Sequence, residues 1–348
     1  MSKRNLFLVL VIALISLPLS GCFIKVNQSP VGSQEGVFMS SDLGDNWQNV
    51  SNLLSVGQQE NFAAADIVLL VKDPQDNKVI YAGSRINGLY FTVNGGTGWQ
   101  RTLENVGGIN DIAVSYFDHC TIFTAAVNQL YRSTDCTRNW QSVFNESRPE
   151  ARITTVVTDS NDSNVVFAAN NLGSLYQSTN QGKSWKSLYN FAADVREILI
   201  SKKNIIYVAT INKGIFRSVD RGATWNNVTD TGENQWRGMN NWRDLLLDPN
   251  NQSRVIYANN YGIFESLDDG QNWRSLPLLT PPSAVTISSL SVSYQDSKKM
   301  YYLANNTFYL SVDGGQNWAT KKIATTSNFV TLLTIAGPEE VIYAGAAK

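Results

Sequence analysis

The segment Ser266-Leu267-Asp268-Asp269-Gly270-Gln271-Asn272-Trp273 is one of seven related copies of an eight-residue pattern in this 348-residue chain. Each copy begins with Ser or Thr, has Asp or Asn at its third position and ends on Trp, and most copies have Gly at the fifth position. Successive copies start 40 to 52 residues apart, which is the length of one four-stranded propeller blade. The copies occupy residues 40–47, 92–99, 133–140, 178–185, 218–225, 266–273 and 311–318.

Each copy lies between two short runs of β-forming residues, which indicates the turn of a hairpin. An Asp or Asn side chain at the third position accepts hydrogen bonds from backbone N–H groups of its own turn. Gly at the fifth position tolerates the positive φ that a tight turn often needs. The Trp starts the next strand and buries a large flat surface between neighbouring strands.

Two further elements recur in step with this turn. An aromatic residue stands two positions before each Ser or Thr, from Phe38 to Tyr309, and an apolar strand lies further upstream. The chain ends on that apolar strand, at residues 341–343, and its repeats begin on the aromatic strand, at residues 36–39. The sequence therefore predicts an all-β fold, a seven-bladed β-propeller of four-stranded blades, closed by pairing of the N- and C-terminal strands in the last blade.

The repeats resemble the Asp-box (BNR) repeats of sialidases, xyloglucanase-type glycosidases, sortilin-like receptors and lipoproteins similar to photosystem II assembly and stability factors. The resemblance covers residues 36–348. It implies that each Asp-box is a structural turn on the face away from any active site. We therefore expect structural roles for the third-position residues, which are Asp42, Asn94, Asp135, Asn180, Asp220, Asp268 and Asp313.

The N-terminal residues have the pattern of a bacterial lipoprotein signal. Lys3 and Arg4 form a positive n-region, residues 6–17 form a short apolar h-region, and Leu19-Ser20-Gly21-Cys22 matches a lipobox. The pattern predicts cleavage before Cys22, whose sulfur then carries diacylglycerol. An uncleaved membrane anchor is the alternative, although the apolar stretch is short for a span.

This pattern gives three segments. We expect a signal peptide at 1–21, a lipidated Cys and flexible polar tether at 22–35, and the propeller at 36–348. Acyl chains on Cys22 would hold the protein to a membrane on the extracytoplasmic side of a bacterial cell envelope. The outer membrane and the cell surface are both compatible with this pattern.

The charge balance and the histidine content restrict the function classes. The chain has 28 Lys and Arg and 29 Asp and Glu residues, and removal of the signal peptide leaves 26 and 29. A net charge of −3 gives no general attraction to nucleic acid, so we expect no nucleic-acid partner. One histidine, His119, leaves no metal cluster or Ser-His-Asp triad to propose. The sequence predicts no cofactor, no resident metal and no catalytic residue.

Besides Cys22, the chain contains Cys120 and Cys136. Export permits a disulfide between them. A hairpin folded about Asn128 places residue 120 opposite residue 136, and a one-residue shift in register would still leave them close. We expect a Cys120–Cys136 disulfide, with two free buried thiols as the alternative. No CxxC motif is present, which argues against redox catalysis.

Side chains at the starts of the inner strands surround the mouth of a propeller's channel. Arginine and aspartate residues occur together at these positions and in a nearby loop. Such a set binds a peptide or a carboxylate-bearing ligand, or its members pair with one another around a wet channel. The candidate arginines outside the segment described next are Arg85, Arg152 and Arg196.

The segment 235–243 contains the only two tryptophans outside the Asp-boxes, each followed by Arg. Trp and Arg dominate binding hot spots and stack on sugars or aromatic groups. We predict a partner-binding role on the same face for Trp236, Arg237, Trp242 and Arg243. Packing over the channel entrance is the alternative.

Three functions remain open. The first is a non-enzymatic membrane-tethered lipoprotein that binds a protein partner as an assembly scaffold. The second is a glycoside hydrolase; a sialidase-like enzyme requires a three-arginine clamp and six blades, and a xyloglucanase-type enzyme requires two propellers with a carboxylate pair between them. The third is a carbohydrate binder that uses Trp236 and Trp242. We favour the first, with a glycan as the alternative ligand.

Overall fold

The computed structural model describes residues 35–55, 60–323, 325 and 327–348. The predicted signal peptide, the lipidation site Cys22 and the tether up to residue 34 lie outside these ranges and stay predictions. The described residues form seven four-stranded antiparallel sheets and one short 3-10 helix, Asp230–Asn234. Among these residues, no helix has the length and apolar character needed to cross a membrane.

The strands follow the repeats, and each of the first six blades uses four consecutive strands. The first strands of the described residues are β1 (Gly36–Ser40) and β2 (Gln48–Asn49). Blade 1 contains β3 (Ile67–Lys72), β4 (Ile80–Ser84), β5 (Leu89–Thr92) and β6 (Gln100–Thr102). Blade 2 contains β7 (Ile109–Val114), β8 (Ile122–Ala126), β9 (Gln129–Ser133) and β10 (Gln141–Asn145). Blade 3 contains β11 (Ile153–Thr158), β12 (Val166–Asn170), β13 (Ser174–Ser178) and β14 (Lys186–Asn190).

The second half of the ring is built in the same way. Blade 4 contains β15 (Val195–Ile200), β16 (Ile206–Thr210), β17 (Gly214–Ser218) and β18 (Asn226–Asn227). Blade 5 contains β19 (Trp242–Asp248), β20 (Asn251–Asn259), β21 (Ile263–Ser266) and β22 (Arg274–Ser275). Blade 6 contains β23 (Ile287–Val292), β24 (Met300–Ala304), β25 (Thr307–Ser311) and β26 (Ala319–Lys322). The chain ends with β27 (Asn328–Ile335) and β28 (Val341–Ala347).

Blade 7 is made from both ends of the chain. Its strand order is β2-β1-β28-β27, so the C-terminus supplies the two inner strands and the N-terminus supplies the two outer strands. The strands β1 and β28 pair in an antiparallel register that runs from Gly36 opposite Ala346 to Ser40 opposite Ile342. The predicted fold and the predicted closure are therefore confirmed.

The hydrophobic core is divided among the interfaces between blades. The described residues contain seven buried apolar clusters, and each cluster joins two neighbouring blades. One example joins blades 7 and 1, where Phe62 stacks on Tyr90 with ring centroids 4.2 Å apart. Since each blade buries its two faces against two different neighbours, the core is complete only in the closed ring.

The Asp-box turn of blade 7 shows the hydrogen bonds of the repeat. The Ser40 hydroxyl donates to Asp42 and accepts from the Gly44 N–H, at 2.8 and 2.9 Å. The side chain and backbone N–H of Asn46 both donate to the Asp42 carboxylate, and these bonds lower the pKa of Asp42 to about 2. Gly44 has a φ of 86°, and a Cβ there would lie 2.6 Å from the Phe308 ring of blade 6. The position therefore requires glycine on two grounds.

The Asp-box of blade 2 departs from this pattern. Thr137 replaces the glycine and has a φ of 70°, which is a strained conformation for a β-branched residue. Next to it, Cys136 forms the predicted disulfide with Cys120. The strand register pairs Ile122 with Ser133, one residue away from the register that places 120 opposite 136. The turn at Cys136, whose φ is 57°, brings the two cysteines together despite this shift.

The closure of blade 7 predicts the effect of a C-terminal truncation. Deletion of residues 341–348 removes β28, and it exposes edges on both β1 and β27. We expect the truncated chain to lose its single cooperative unfolding transition in urea, followed by tryptophan fluorescence. Glu339→Ala changes an exposed side chain just before β28; it is the control and should leave the transition unchanged. A truncated chain with the wild-type midpoint would contradict the closure argument.

Candidate functional site

The strand directions sort the loops onto two faces of the ring. In each blade the first and third strands run in the same direction, so the starts of the inner strands share a face with the loops between second and third strands. We call this face the arginine face and define it by Arg85, Arg152, Arg196, Arg237 and Arg243. The Asp-box turns lie on the opposite face, which we call the Asp-box face.

Two of the predicted arginines pair with neighbouring aspartates. The Arg85 guanidinium lies 3.4 Å from Asp66, and the Arg196 guanidinium lies 2.6 Å from Asp194. Exposed pairs of this kind contribute little to stability. The backbone N–H of Arg152 donates to the side chain of Asn171, and the side chain of Arg152 is exposed. These three arginines belong to blades 1, 3 and 4, and the contacts given for them share no residue.

The segment 235–243 connects blade 4 to blade 5 and is held by hydrogen bonds at its base. The Glu233 carboxylate accepts the backbone N–H groups of Gly238 and Asn240, at 2.7 and 2.8 Å. Met239 is fully buried, and its carbonyl accepts a hydrogen bond from the Tyr257 hydroxyl at 2.8 Å. These contacts fix the backbone of the segment on the arginine face.

The two tryptophans of this segment are half-buried and pack against the ring. Trp236 packs edge-on against Phe264, with ring centroids 5.0 Å apart. The Trp242 indole N–H donates to Glu197 at 2.9 Å. Packing, the alternative role that the sequence left open, therefore accounts for much of the surface of both tryptophans. The exposed charged groups of the segment are its two arginines.

Arg237 and Arg243 line one open cavity of about 460 Å³ on the arginine face. Asn260 contributes to its wall and accepts a hydrogen bond from Arg243 Nε at 2.7 Å. Glu233 also lines the cavity, but both of its oxygens already accept backbone N–H groups. Within the described part of the chain, neither guanidinium has a carboxylate partner. The cavity thus presents two cationic groups with hydrogen-bonding capacity to an anionic ligand.

A second group of mostly polar side chains lies along the inner strands. The inner strand of each blade has a shift in its pairing register near its start. The residue that follows each shift occupies an equivalent position in the ring, and these residues are Leu69, Asp111, Thr155, Glu197, Asp244, Ser289 and Thr331. A bulge leaves a backbone N–H of the strand without a partner in its own sheet. We call these seven residues the bulge ring.

Side chains of the bulge ring bond to the next blade. Asp111 accepts the Val156 N–H at 2.9 Å, Glu197 accepts the Leu245 N–H at 3.0 Å, and Asp244 accepts the Leu290 N–H at 2.6 Å. Ser289 does the same for the Leu332 N–H at 3.1 Å. Each side chain satisfies a backbone group at a bulge of the neighbouring inner strand. This arrangement joins four of the seven blade interfaces around the channel.

The carboxyl groups of this ring have raised pKa values. Burial raises the pKa of Asp111 and of Asp244 to about 6. Burial, and after it the nearby charge of Asp244, raises the pKa of Glu197 well above its usual range. The sequence predicted aspartates at the starts of the inner strands, but it gave no role to Glu197. The available signal was its place two residues after the first residue of β15, in step with Asp111 and Asp244 in their strands.

Comparisons with known proteins agree with this architecture. The family model of sortilin (neurotensin receptor 3) and Vps10 matches residues 213–332. A probable oligoxyloglucan-reducing end-specific xyloglucanase from Neosartorya fischeri is 30% identical over 78 residues, which are 22% of this chain and 9% of that protein. The matched part of the chain thus spans less than a tenth of the length of this curated relative.

Solved structures resemble a larger part of the chain. YCF48 bound to a D1 peptide is 18% identical, with a TM-score of 0.62, and the match covers 82% of this chain and 93% of YCF48. YCF48 from Cyanidioschyzon merolae is 13% identical with a TM-score of 0.62, and the match covers 81% and 95%. The GH74 xyloglucanase from Xanthomonas campestris is 14% identical with a TM-score of 0.66, covering 81% of this chain but 51% of the enzyme. At these identities the likeness shows the propeller fold, and it confirms the predicted resemblance to sortilin-like and assembly-factor-like propellers at that level.

The raised carboxyl pKa values predict how stability depends on pH. The folded state holds the protons of Asp111 and Asp244 more tightly than the unfolded chain, so the stability that these groups supply is present below about pH 4 and is lost as pH rises through about 6. Each carboxyl contributes up to about 3 kcal/mol to this fall. Below about pH 4 the Asp-box acids act in the opposite direction, because hydrogen bonds hold the pKa of residues such as Asp313 at about 2.

We therefore expect the free energy of unfolding, measured in urea at a series of pH values, to be highest near pH 4 to 5. Asp111→Asn should flatten the decrease between pH 4 and 6, because it removes one titrating group. Glu150→Gln removes an exposed acid and is the matched control. A wild-type stability that rises steadily from pH 4 to 7 would contradict this reading of the bulge ring.

Proposed function

We propose that this chain is a non-enzymatic propeller lipoprotein, anchored through Cys22 on the extracytoplasmic side of a bacterial envelope membrane, whose arginine face binds a protein partner. The observation that carries the proposal is the cavity at segment 235–243. There, Arg237 and Arg243 are exposed on a backbone that Glu233 and Met239 hold in place. A preformed site loses little conformational entropy when its partner binds.

The comparisons support a binding role over hydrolysis. The match to YCF48, which was solved with a D1 peptide, covers nearly the whole of that protein. The single propeller of this chain therefore corresponds to nearly all of YCF48. The match to the Xanthomonas campestris xyloglucanase covers about half of the enzyme. A xyloglucanase-type site between two propellers therefore has only one of its two halves in the described residues.

The buried carboxyl groups of the channel also favour a non-enzymatic function. Asp111, Glu197 and Asp244 each accept a backbone N–H from the next blade. Carboxylates that satisfy buried backbone groups have a structural task, and their removal leaves an unpaired donor. We therefore assign these groups to the ring rather than to general acid and base chemistry.

The partner segment is expected to carry carboxylates. Arginine forms two parallel hydrogen bonds with a carboxylate, and the bond is stronger than a neutral one. Val285 adds a small apolar surface to the same cavity, beside Thr286. An acidic peptide segment with a short apolar side chain fits this combination of charge and surface.

A glycan is the second candidate ligand. The local identity with the Neosartorya fischeri xyloglucanase is the observation that favours it. Sugar recognition by stacking requires an open aromatic face. Trp236 contacts Phe264 and Trp242 donates to Glu197, so both tryptophans already have partners within the propeller. We therefore place the glycan second.

The arginine pair gives a direct test of partner binding. We expect Arg237→Ala with Arg243→Ala to abolish crosslinking of the partner in intact cell envelopes, as identified by mass spectrometry. Both side chains are exposed, so the melting temperature should change little. Arg138→Ala with Lys183→Ala removes two exposed cations from the Asp-box face and is the matched control.

A protein that is captured by the wild type and the control but lost from the double variant would support the proposal. An identical set of crosslinked proteins in all three samples would contradict it. Binding of the purified protein to a glycan array, lost in the same arginine variant, would instead favour the carbohydrate function.

The membrane tether has its own test. We expect Cys22→Ser to block acylation and to move the protein from the membrane fraction to the soluble fraction, since no thiol remains at the lipobox. Cys120→Ser, which leaves the lipobox intact, should stay with the membrane. The measurement is fractionation with mass spectrometry of the N-terminal peptide. A Cys22→Ser protein that stays in the membrane would show that another element anchors it.

A further inference from the structure

Three ligand-bearing side chains meet on the Asp-box face of blade 2. His119, Cys120 and Cys136 each offer one ligand atom, and these atoms lie within 4.8 Å of one another. His119 is the only histidine in the chain, and it is exposed, while the two cysteines are half-buried. The sequence predicted the pairing of the two cysteines, but it did not show that the His119 ring lies beside both of them.

The spacing fits a thiolate-binding metal ion. Zinc bonds to sulfur at about 2.3 Å and to a histidine nitrogen at about 2.0 to 2.1 Å, so ligands of one tetrahedral ion lie well under about 4.6 Å apart. Small side-chain rotations bring three groups within 4.8 Å into that range. We propose that reduction of the Cys120–Cys136 disulfide converts this cluster into a binding site for Zn²⁺ or a similar thiolate-binding cation, held by His119, Cys120 and Cys136. A fourth position remains open to water.

The backbone around the cluster is held by bonds that do not involve the disulfide. The Asp118 carboxylate accepts the Cys120 N–H at 3.0 Å and the Thr121 hydroxyl at 2.8 Å. On the other side, the Thr137 N–H donates to the Ser133 hydroxyl at 3.0 Å. Both turns therefore keep these hydrogen bonds when the sulfur–sulfur bond is broken. The backbone then holds the two thiols and the imidazole close together before a metal ion binds.

The disulfide is replaced by a metal ion in two steps, in which electrons and protons are conserved. A dithiol reductant supplies two electrons and two protons, so that its own sulfurs become a disulfide and Cys120 and Cys136 become thiols. A divalent cation then binds both sulfurs as thiolates and releases their two protons to solvent. For reoxidation, an oxidising disulfide accepts two electrons from the thiolates and two protons from solvent and becomes a dithiol, while the Cys120–Cys136 disulfide re-forms and expels the ion. The disulfide and the metal are thus mutually exclusive occupants of one place.

The experiment uses Co²⁺ as a spectroscopic probe on the intact propeller. The protein is reduced with a phosphine, desalted without oxygen and titrated with Co²⁺ and then Zn²⁺. We expect one Co²⁺ per chain with sulfur-to-cobalt charge-transfer absorption, displaced by one Zn²⁺. The oxidised protein should show no such absorption. His119→Ala should weaken Co²⁺ binding by about tenfold or more.

Lys298→Ala is the matched control, because Lys298 is exposed and its N–H donates to Asp296 in the equivalent turn of blade 6, as that of Cys120 does to Asp118. It should bind Co²⁺ as the wild type does. Reduced wild-type protein without the charge-transfer absorption would overturn the proposal. Equal affinity in His119→Ala would overturn the three-ligand set. Neither readout depends on the arginine face, so this test and the partner test fail separately.

Discussion

The pairing of β1 with β28 is the constraint on which the rest of the molecule depends. Each apolar cluster is shared by two blades, so no blade has a core of its own. Seven such interfaces exist only when the last blade meets the first, and that meeting requires strands from both ends of the chain. Burial of apolar surface thereby stabilises the ring as a unit.

Polar contacts around the channel also join neighbouring blades. The bulges in the inner strands expose backbone N–H groups, and side chains such as Asp111 and Glu197 reach across the interface to satisfy them. A hydrogen bond from a backbone donor to a carboxylate contributes about 1.5 to 3 kcal/mol, and loss of the acceptor leaves a buried donor unpaired. The same few carboxyl groups therefore determine both the stability of the blade interfaces and the titration behaviour of the channel.

Local repeats made most of the fold predictable from the sequence. The seven Asp-boxes and the aromatic strands specify blade number, strand order and the shared last blade, because a turn signal and a period of two are short-range features. The disulfide followed from the spacing of Cys120 and Cys136 about one hairpin. The repeats give the position of Glu197 in its strand, but they do not give its hydrogen bond to Leu245, because Leu245 belongs to the next repeat.

The candidate site was predicted only in part, for the same physical reason. Segment 235–243 stood out by composition, and the structure places its two arginines at one cavity. The burial of Trp236 depends on Phe264, which lies on the third strand of blade 5, and no local pattern reports that contact. Hydrophobic character alone does not distinguish a packed tryptophan from an exposed one. The spacing of the cysteines likewise predicted their pairing but not the direction of the His119 ring, which the structure places beside both sulfurs.

Hydrogen exchange of the intact protein tests the central claim, that ring closure holds the whole propeller together. If closure governs stability, the amides that join β1 to β28 exchange only through global unfolding, with the same opening free energy as those of β11 and β12 in blade 3. The contradictory result is faster exchange at β1 and β28 through a local opening that leaves blades 1 to 6 protected. In that case, the ring would stand without its terminal strands.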